Sequence, residues 1–528
     1  MRSCEILWVL PVIRLTSGSA GDTARKGHET VTWDGPVAVC VDAGTTVIKA
    51  VVFDADGRER VVTRRETAVH HPRVNRAEQD MDEVWHAVVA TVREAVQRAG
   101  RPVRFLALTA QGDGAWLVDA EHRPVRPAVL WNDGRAADTV RGWAEDGVLE
   151  RAFRVNASLT NAGLPNAVLR HLAVEEPAAL AAAHSVLTCG GWLFLRLTGV
   201  LGIEASEASA PWLDIRAGTY SDALLDAYGL AEHRRLLPPL LTGDRQTARV
   251  TAEAAGALGL PAGTPVVLAP YDIVATALGV GATEPGQATC VLGTTLCTEM
   301  LIEAPDTEGQ PAGLTLDFGV PGRLVRAFPT LAGTGVLDWL VALLGLRDHG
   351  ELTELAAHVG PGAGGLRVLP YLSPAGERAP FLDPAASGLV TGALLAHGRE
   401  HLARAVLEGL AHVIRDCLEA APHRPVELGL CGGGAASDLW CRLIADVTGV
   451  PVVRTEDSQV GAKGALLFAG TALGDHPDLT TAARALVRPS VRWEPDADTR
   501  EFHDAEHAEF LATRALAATR WAGWRDHG

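Results

Sequence analysis

One short pattern constrains this 528-residue chain more than any other: a Gly-Thr-Thr turn between two apolar strands occurs twice, 249 residues apart. In the first copy, Val37-Ala-Val-Cys-Val-Asp42 and Val47-Ile-Lys-Ala-Val-Val-Phe53 flank Gly44-Thr45-Thr46. In the second, Gln287-Ala-Thr-Cys-Val-Leu292 and Leu296-Cys-Thr-Glu-Met-Leu-Ile302 flank Gly293-Thr294-Thr295. Short apolar runs bounded by small turn residues read as buried strands. A chain of this length exceeds a single core, so two large domains are expected, and the repeat makes them duplicates with one hairpin each. Gly and Thr turns offer backbone N–H groups and hydroxyls to phosphate oxygens, and Gly admits the close approach.

Between and after the hairpins the pattern alternates. Val84, Val88, Val92 and Val96 recur at helical spacing, as do Leu402, Val406, Val413, Cys417 and Leu418. Arg104–Thr109, Pro265–Ala269 and Val426–Leu430 read as further strands, and Ser437-Asp438 as a helix start. The expected fold is therefore α/β. Residues 1–36 read as a disordered extension: the run Ile6–Ile13 faintly resembles a signal-peptide core, but Glu5, Pro11 and Arg14 interrupt it. The expected domains are 37–282 and 283–473, followed by a helical tail over 474–528.

Composition excludes some partners. Lys and Arg number 47 against 64 Asp and Glu, a net charge of −17 that repels nucleic-acid backbones and anionic membrane surfaces. No segment approaches the roughly 20 apolar residues of a membrane helix. Eight cysteines, none in a CxxC pair, read as reduced core thiols, and a cytoplasmic protein is expected.

Several polar residues at strand ends carry two readings each on local sequence. Asp42 either caps its turn or holds a divalent ion through water. Asp272, after the strand 265–269, is either a plain helix cap or a general base for a hydroxyl nucleophile. Gln111, Asp113, Trp131, Asn132, Asp133 and Arg135 are either solvated loop residues or a polyol pocket with Trp116 or Trp131 as its apolar wall. Gly432-Gly433-Gly434 lacks a GxGxxG register and is either a loop or a bed for adenine and ribose.

Taken in order, these pieces resemble the FGGY carbohydrate kinases, which include glycerol kinase, xylulokinase and erythritol kinase. The resemblance runs from about Val37 to about Gly470. It rests on Asp42–Thr46, Glu78-Gln79-Asp80, Thr109–Asp113, Leu130–Arg135, Asp272 with Ala277–Gly281, Gly293–Thr295, Gly376-Glu-Arg378 with Pro380, Gly388–Gly392 and Gly432–Gly434. It implies two actin-like domains of the ribonuclease H-like, sugar kinase/hexokinase/actin superfamily, closing over a cleft with ATP and Mg²⁺. It also implies that Asp272 is the catalytic base and that Asp42, with Asp272, lies at the metal. Gly44, Thr45, Thr46, Lys49, Gly293, Thr294, Thr295, Gly432, Gly433 and Gly434 fall at the nucleotide. Gln79, Gln111, Gly112, Asp113, Trp131, Asp133 and Arg135 fall at the acceptor.

The acceptor implied is a small polyol or ketopentose. Gln111–Trp116 resembles erythritol kinases, and Pro270–Leu278 resembles erythritol and L-xylulose kinases. Trp131–Arg135 is similar to xylulokinases, but their His is replaced by Asp113, which counts against D-xylulose. The Arg-Glu pair of glycerol kinases is here Gly112-Asp113, and their Gln after the base is Ile273, which counts against glycerol. An actin-like ATP-binding regulator without a sugar acceptor is the alternative of another class. A homodimer is compatible with the chain.

Overall fold

The computed structural model describes residues 34–525, so almost all of the expected extension over 1–36 lies outside the described residues. Six strands of the first half form one sheet: β1 (Val37–Ala43), β2 (Val47–Phe53), β3 (Glu59–Glu66), β4 (Val103–Ala110), β5 (Thr247–Arg249) and β6 (Pro265–Leu268). Their order is β5-β6-β4-β1-β2-β3. β1, β4 and β6 run parallel, and β2, β3 and β5 extend the sheet antiparallel at its two sides.

The second half repeats this plan. It contains β7 (Gln287–Leu292), β8 (Leu296–Ile302), β9 (Leu314–Asp317), β10 (Leu324–Pro329), β11 (Glu427–Cys431), β12 (Val452–Thr455) and β13 (Pro489–Trp493), in the order β9-β10-β8-β7-β11-β12-β13. Again a hairpin, β7–β8, is flanked by parallel strands β11 and β12 and ends on an antiparallel edge strand, β13. Both Gly-Thr-Thr turns therefore occupy the same place in equivalent sheets.

The helices that matter for the site are α1 (Met81–Ala99), α2 (Ala205–Trp212), α3 (Asp272–Val280), α4 (Thr334–Leu344), α5 (Arg399–Glu419), α6 (Asp438–Thr448), α7 (Val460–Ala472) and α8 (Arg500–Ala518). The valine spacing does mark α1: Val84, Val88 and Val92 are buried against β2 and β3, and Asp80 caps the helix by accepting from Asp82 and Glu83 N–H. Ser437 likewise caps α6.

α3 follows β6 and α7 follows β12, so each comes from the same point of its repeat. The two pack face to face at unusually short range. A methyl group on Gly279 would fall inside the Val460 carbonyl, and one on Gly464 inside that of Ala275. One apolar cluster runs from Cys40, Val51 and Phe105 through Val274 and Leu278 of α3 and Leu466 of α7 to Leu301 and Val325 of the second sheet. The last 55 residues are not only helical: Pro489–Trp493 supplies the sheet edge β13, and α8 follows it. No helix among the described residues is long and apolar enough to cross a membrane. Of the seven described cysteines, all unpaired, six are buried.

Candidate active site

The two turns come from equivalent hairpins of the two sheets, and each is anchored through its carbonyls. Thr67 N–H donates to the Thr46 carbonyl and Gln79 Nε2 to that of Thr45, while Thr334 and Gly335 N–H donate to the carbonyls of Gly293 and Thr294. The N–H groups of Gly44, Thr45, Thr46, Gly293, Thr294 and Thr295 donate to no protein acceptor among the described residues. That leaves two fixed sets of donors suited to phosphate oxygens. Gly433, after β11, has open space where a side chain would stand, whereas Gly434 packs against Trp440.

Asp42, one residue before the end of β1, pairs with Lys49 of β2, whose Nζ lies 3.7 Å from Oδ2. α7 starts directly over it: a methyl on Gly461 would sit 3.3 Å from the same oxygen. Asp272 is the first residue of α3, and its Oδ1 accepts from Ile273 N–H at 2.8 Å, leaving Oδ2 without a partner among the described residues. Burial, and then the neighbouring charges of Asp42, Asp113 and Glu207, push Asp272 up to about 8. Asp113 is raised to about 7 by burial, with Arg378 opposing the shift, and Asp42 is raised by burial against the pull of Lys49. These crowded carboxylates resist ionising together.

Asp42 and Asp272 suit Mg²⁺, a hard cation that takes one or two carboxylates plus phosphate oxygens and water. Among the described residues no group of three or more His, Cys, Asp and Glu is arranged to hold a metal unaided. A Mg²⁺ held by such a pair would take its remaining ligands from phosphate oxygens and water.

The expected acceptor residues divide into a face and a backing. Asp113 adopts a left-handed conformation, φ 57°, and its carboxylate accepts no hydrogen bond among the described residues. Gly112 beside it lies flat against the Tyr271 ring, where any side chain would clash. Trp131 donates from Nε1 to the Thr45 hydroxyl at 2.8 Å, and that hydroxyl donates to Gln111 Oε1 at 2.6 Å.

Gln111 then donates to Gln79 Oε1 at 2.8 Å. Gln79 is fully buried, its amide spent on Thr45 and Ala68 carbonyls. Asp133 accepts from Ala77 and Arg135 N–H and pairs through both oxygens with the Arg135 guanidinium, which also binds Glu78. The structure thus leaves Asp113 unengaged and ties Trp131 through Thr45 and Gln111 to buried Gln79, while Asp133 and Arg135 are consumed by one another and by Glu78.

Three residues outside the expected set also face this region. Glu207, in the first turn of α2, is buried with Oε1 unpartnered and raised to about 7 by burial. Glu299 on β8 is fully buried with neither oxygen bonded, and burial raises it well above the usual range. A Glu inside the apolar run Leu296–Ile302 was the available signal for it. Arg378, in the segment after β10, stacks over the Trp131 ring at 5.5 Å.

The geometry has clear counterparts among known proteins. Residues 37–279 match the model of the FGGY family of carbohydrate kinases, N-terminal domain, and residues 288–473 match the C-terminal domain of the same family. An erythritol kinase of Brucella abortus (strain 2308) is 31% identical over 504 residues, 91% of this chain and 95% of that one. An L-xylulose/3-keto-L-gulonate kinase of Escherichia coli (strain K12) is 30% identical over 486 residues, 89% and 95%. The crystal structure of a xylulose kinase from Rhodospirillum rubrum superposes with a TM-score of 0.84 at 28% identity, covering 92% of this chain and 100% of that one.

Proposed function

The chain belongs to the FGGY family of carbohydrate kinases and is an ATP-dependent sugar kinase, and on that premise we propose that it phosphorylates a hydroxyl of erythritol or L-xylulose. Family membership displaces the reading as an actin-like regulator without an acceptor. The observation that carries the choice of acceptor is the unpartnered Asp113 carboxylate, next to the Gly112–Tyr271 contact and near enough to Asp272 to raise it. A carboxylate there accepts from a hydroxyl, and the indole face covers the C–H edge of a small polyol. The erythritol and L-xylulose kinases among the relatives agree with that choice. D-Xylulose is the second reading, favoured by the xylulose kinase similarity.

In this reading Asp272 takes the proton of the attacking hydroxyl through its free Oδ2, in line with the phosphoryl group held by the two turns. Asp42, with Asp272, would hold Mg²⁺, which would neutralise charge on the phosphates. The turn N–H groups hold the transferring group, and Gly432, Gly433 and Gly434 bed the nucleoside. Gln79, Gln111, Asp133 and Arg135 fix the Thr45 turn and Trp131 in register, so they serve by positioning.

The test is ADP release across erythritol, L- and D-xylulose, L- and D-ribulose, glycerol and common pentitols. The highest kcat/KM is expected with erythritol or L-xylulose. A clear preference for D-xylulose or glycerol would overturn that choice while leaving the kinase assignment intact.

A further inference from the structure

Among the described residues, Arg378 is the guanidinium of the second half that lies over Trp131 of the proposed acceptor wall. Its Nε donates to the Pro329 carbonyl at 2.9 Å, which fixes the plane of the group at the end of β10. Its Cζ lies over the Trp131 ring, so an indole from the first half and a guanidinium from the second are stacked. The preceding residue is locked: buried Glu377 accepts from Leu331, Ala332 and Arg378 N–H. The terminal Nη atoms donate to nothing among the described residues, and Arg378 is half-buried.

A half-buried Arg with four unused N–H bonds is unusual beside a carboxylate that is equally unused. Asp113 and Arg378 sense one another's charge, yet they form no ion pair within 4 Å. An acceptor-only carboxylate and a set of free donors thus lie near one another, with Trp131 beneath the guanidinium. Arg378 also borders a small cavity lined by Thr160, Asn161 and Leu382, so it is not sealed in by packing on every side.

We propose that Arg378 is an acceptor-binding, specificity-determining residue: it donates to an oxygen of a small polyhydroxylated acceptor whose neighbouring hydroxyl donates to Asp113. The inference rests on the kinase reading given above. A fork of fixed donors opposite a lone carboxylate selects vicinal oxygens at one spacing. Because the fork comes from the second half and the carboxylate from the first, an acceptor lacking either oxygen leaves a buried polar group unpaired and is discriminated against. Arrival of Arg378 also ties acceptor recognition to the approach of the two halves.

The test uses Arg378→Gln and Arg378→Lys in the full chain, with kcat and with KM for acceptor and for ATP from ADP release, and a thermal melt as the check on folding. The expected result is an acceptor KM raised about tenfold or more in Arg378→Gln and less in Arg378→Lys, with KM for ATP within about twofold of wild type. Wild type should also prefer the acceptor to its deoxy analogue by a factor that Arg378→Gln loses. If Arg378→Gln does not fold, Arg378→Lys carries the same comparison, since it keeps a donor but not the fork. An unchanged acceptor KM and unchanged discrimination, or an equal rise in KM for ATP, would overturn the proposal. Wild-type protein with no acceptor-dependent turnover would instead sink the kinase reading itself.

Discussion

Gly112 is a glycine because of a residue 159 positions away. The Tyr271 ring lies against its α-carbon, and the same contact fixes the turn that presents Asp113. Gly112→Ala forces that ring aside. Overpacking of this kind costs about 1–3 kcal/mol, and the displaced Asp113 should raise the acceptor KM while KM for ATP stays put. Denaturant melts together with the two KM values check this; an Ala variant with wild-type stability and kinetics would contradict the packing account. The sequence does mark this stretch as polar and Gly-rich. Which of its polar residues the fold leaves unengaged was not legible. Asp133 and Arg135 carry the right chemistry in the right cluster, but Glu78 and the Ala77 N–H, brought in by an earlier strand, consume it. Glu207 and Glu299 escaped because burial of an isolated acid is a property of the folded surroundings, not of neighbours in sequence.

At the level of elements, the hairpins and long helices were legible because apolar spacing alone specifies which face is buried. β13 was not: it opens with Pro489, alternates weakly and exists only by pairing with β12. α8 was expected as a helix, but what it does follows from packing. Its His507 lies against His412 of α5, the two Nδ1 atoms 3.2 Å apart, with His503 and Phe510 close by. Burial lowers all three histidines, His507 to about 4. Arg415 and Arg514 face His507 and oppose its protonation, while Glu419, 3.3 Å from Nε2, favours it.

A histidine whose pKa falls on folding supports the fold fully above its unfolded value near 6.5, and that support is lost as pH drops towards 4. Unfolding free energy from urea titrations at pH 7.5, 6 and 5 should therefore fall more steeply in wild type than in His507→Gln. Parallel slopes would contradict the burial of a neutral His507. The comparison between proteins matters here, because buried acids such as Asp272 and Glu207 shift the total in the opposite direction on acidification.

The molecule as a whole is two copies of one sheet plan joined by a close pair of helices, α3 and α7, each following the equivalent strand of its own copy. The Gly-Thr-Thr echo made the duplication legible. The Gly279 and Gly464 contacts that press the copies together were not, since small residues in apolar helices carry no address. This arrangement places Asp272 at the helix start in the joint itself, near enough to Asp42 to feel its charge, and the proposed mechanism makes that carboxylate the base. The direct measurement is acceptor-dependent ADP release by wild type and by Asp272→Asn, with ATP binding followed in both by calorimetry. The account predicts that the best acceptor stimulates wild type strongly, and that the Asn variant loses about 10²–10⁴-fold of kcat while still binding ATP. An Asp272→Asn enzyme that keeps most of its acceptor-dependent turnover, or a wild type whose ATP turnover no polyol or ketose changes, would contradict it.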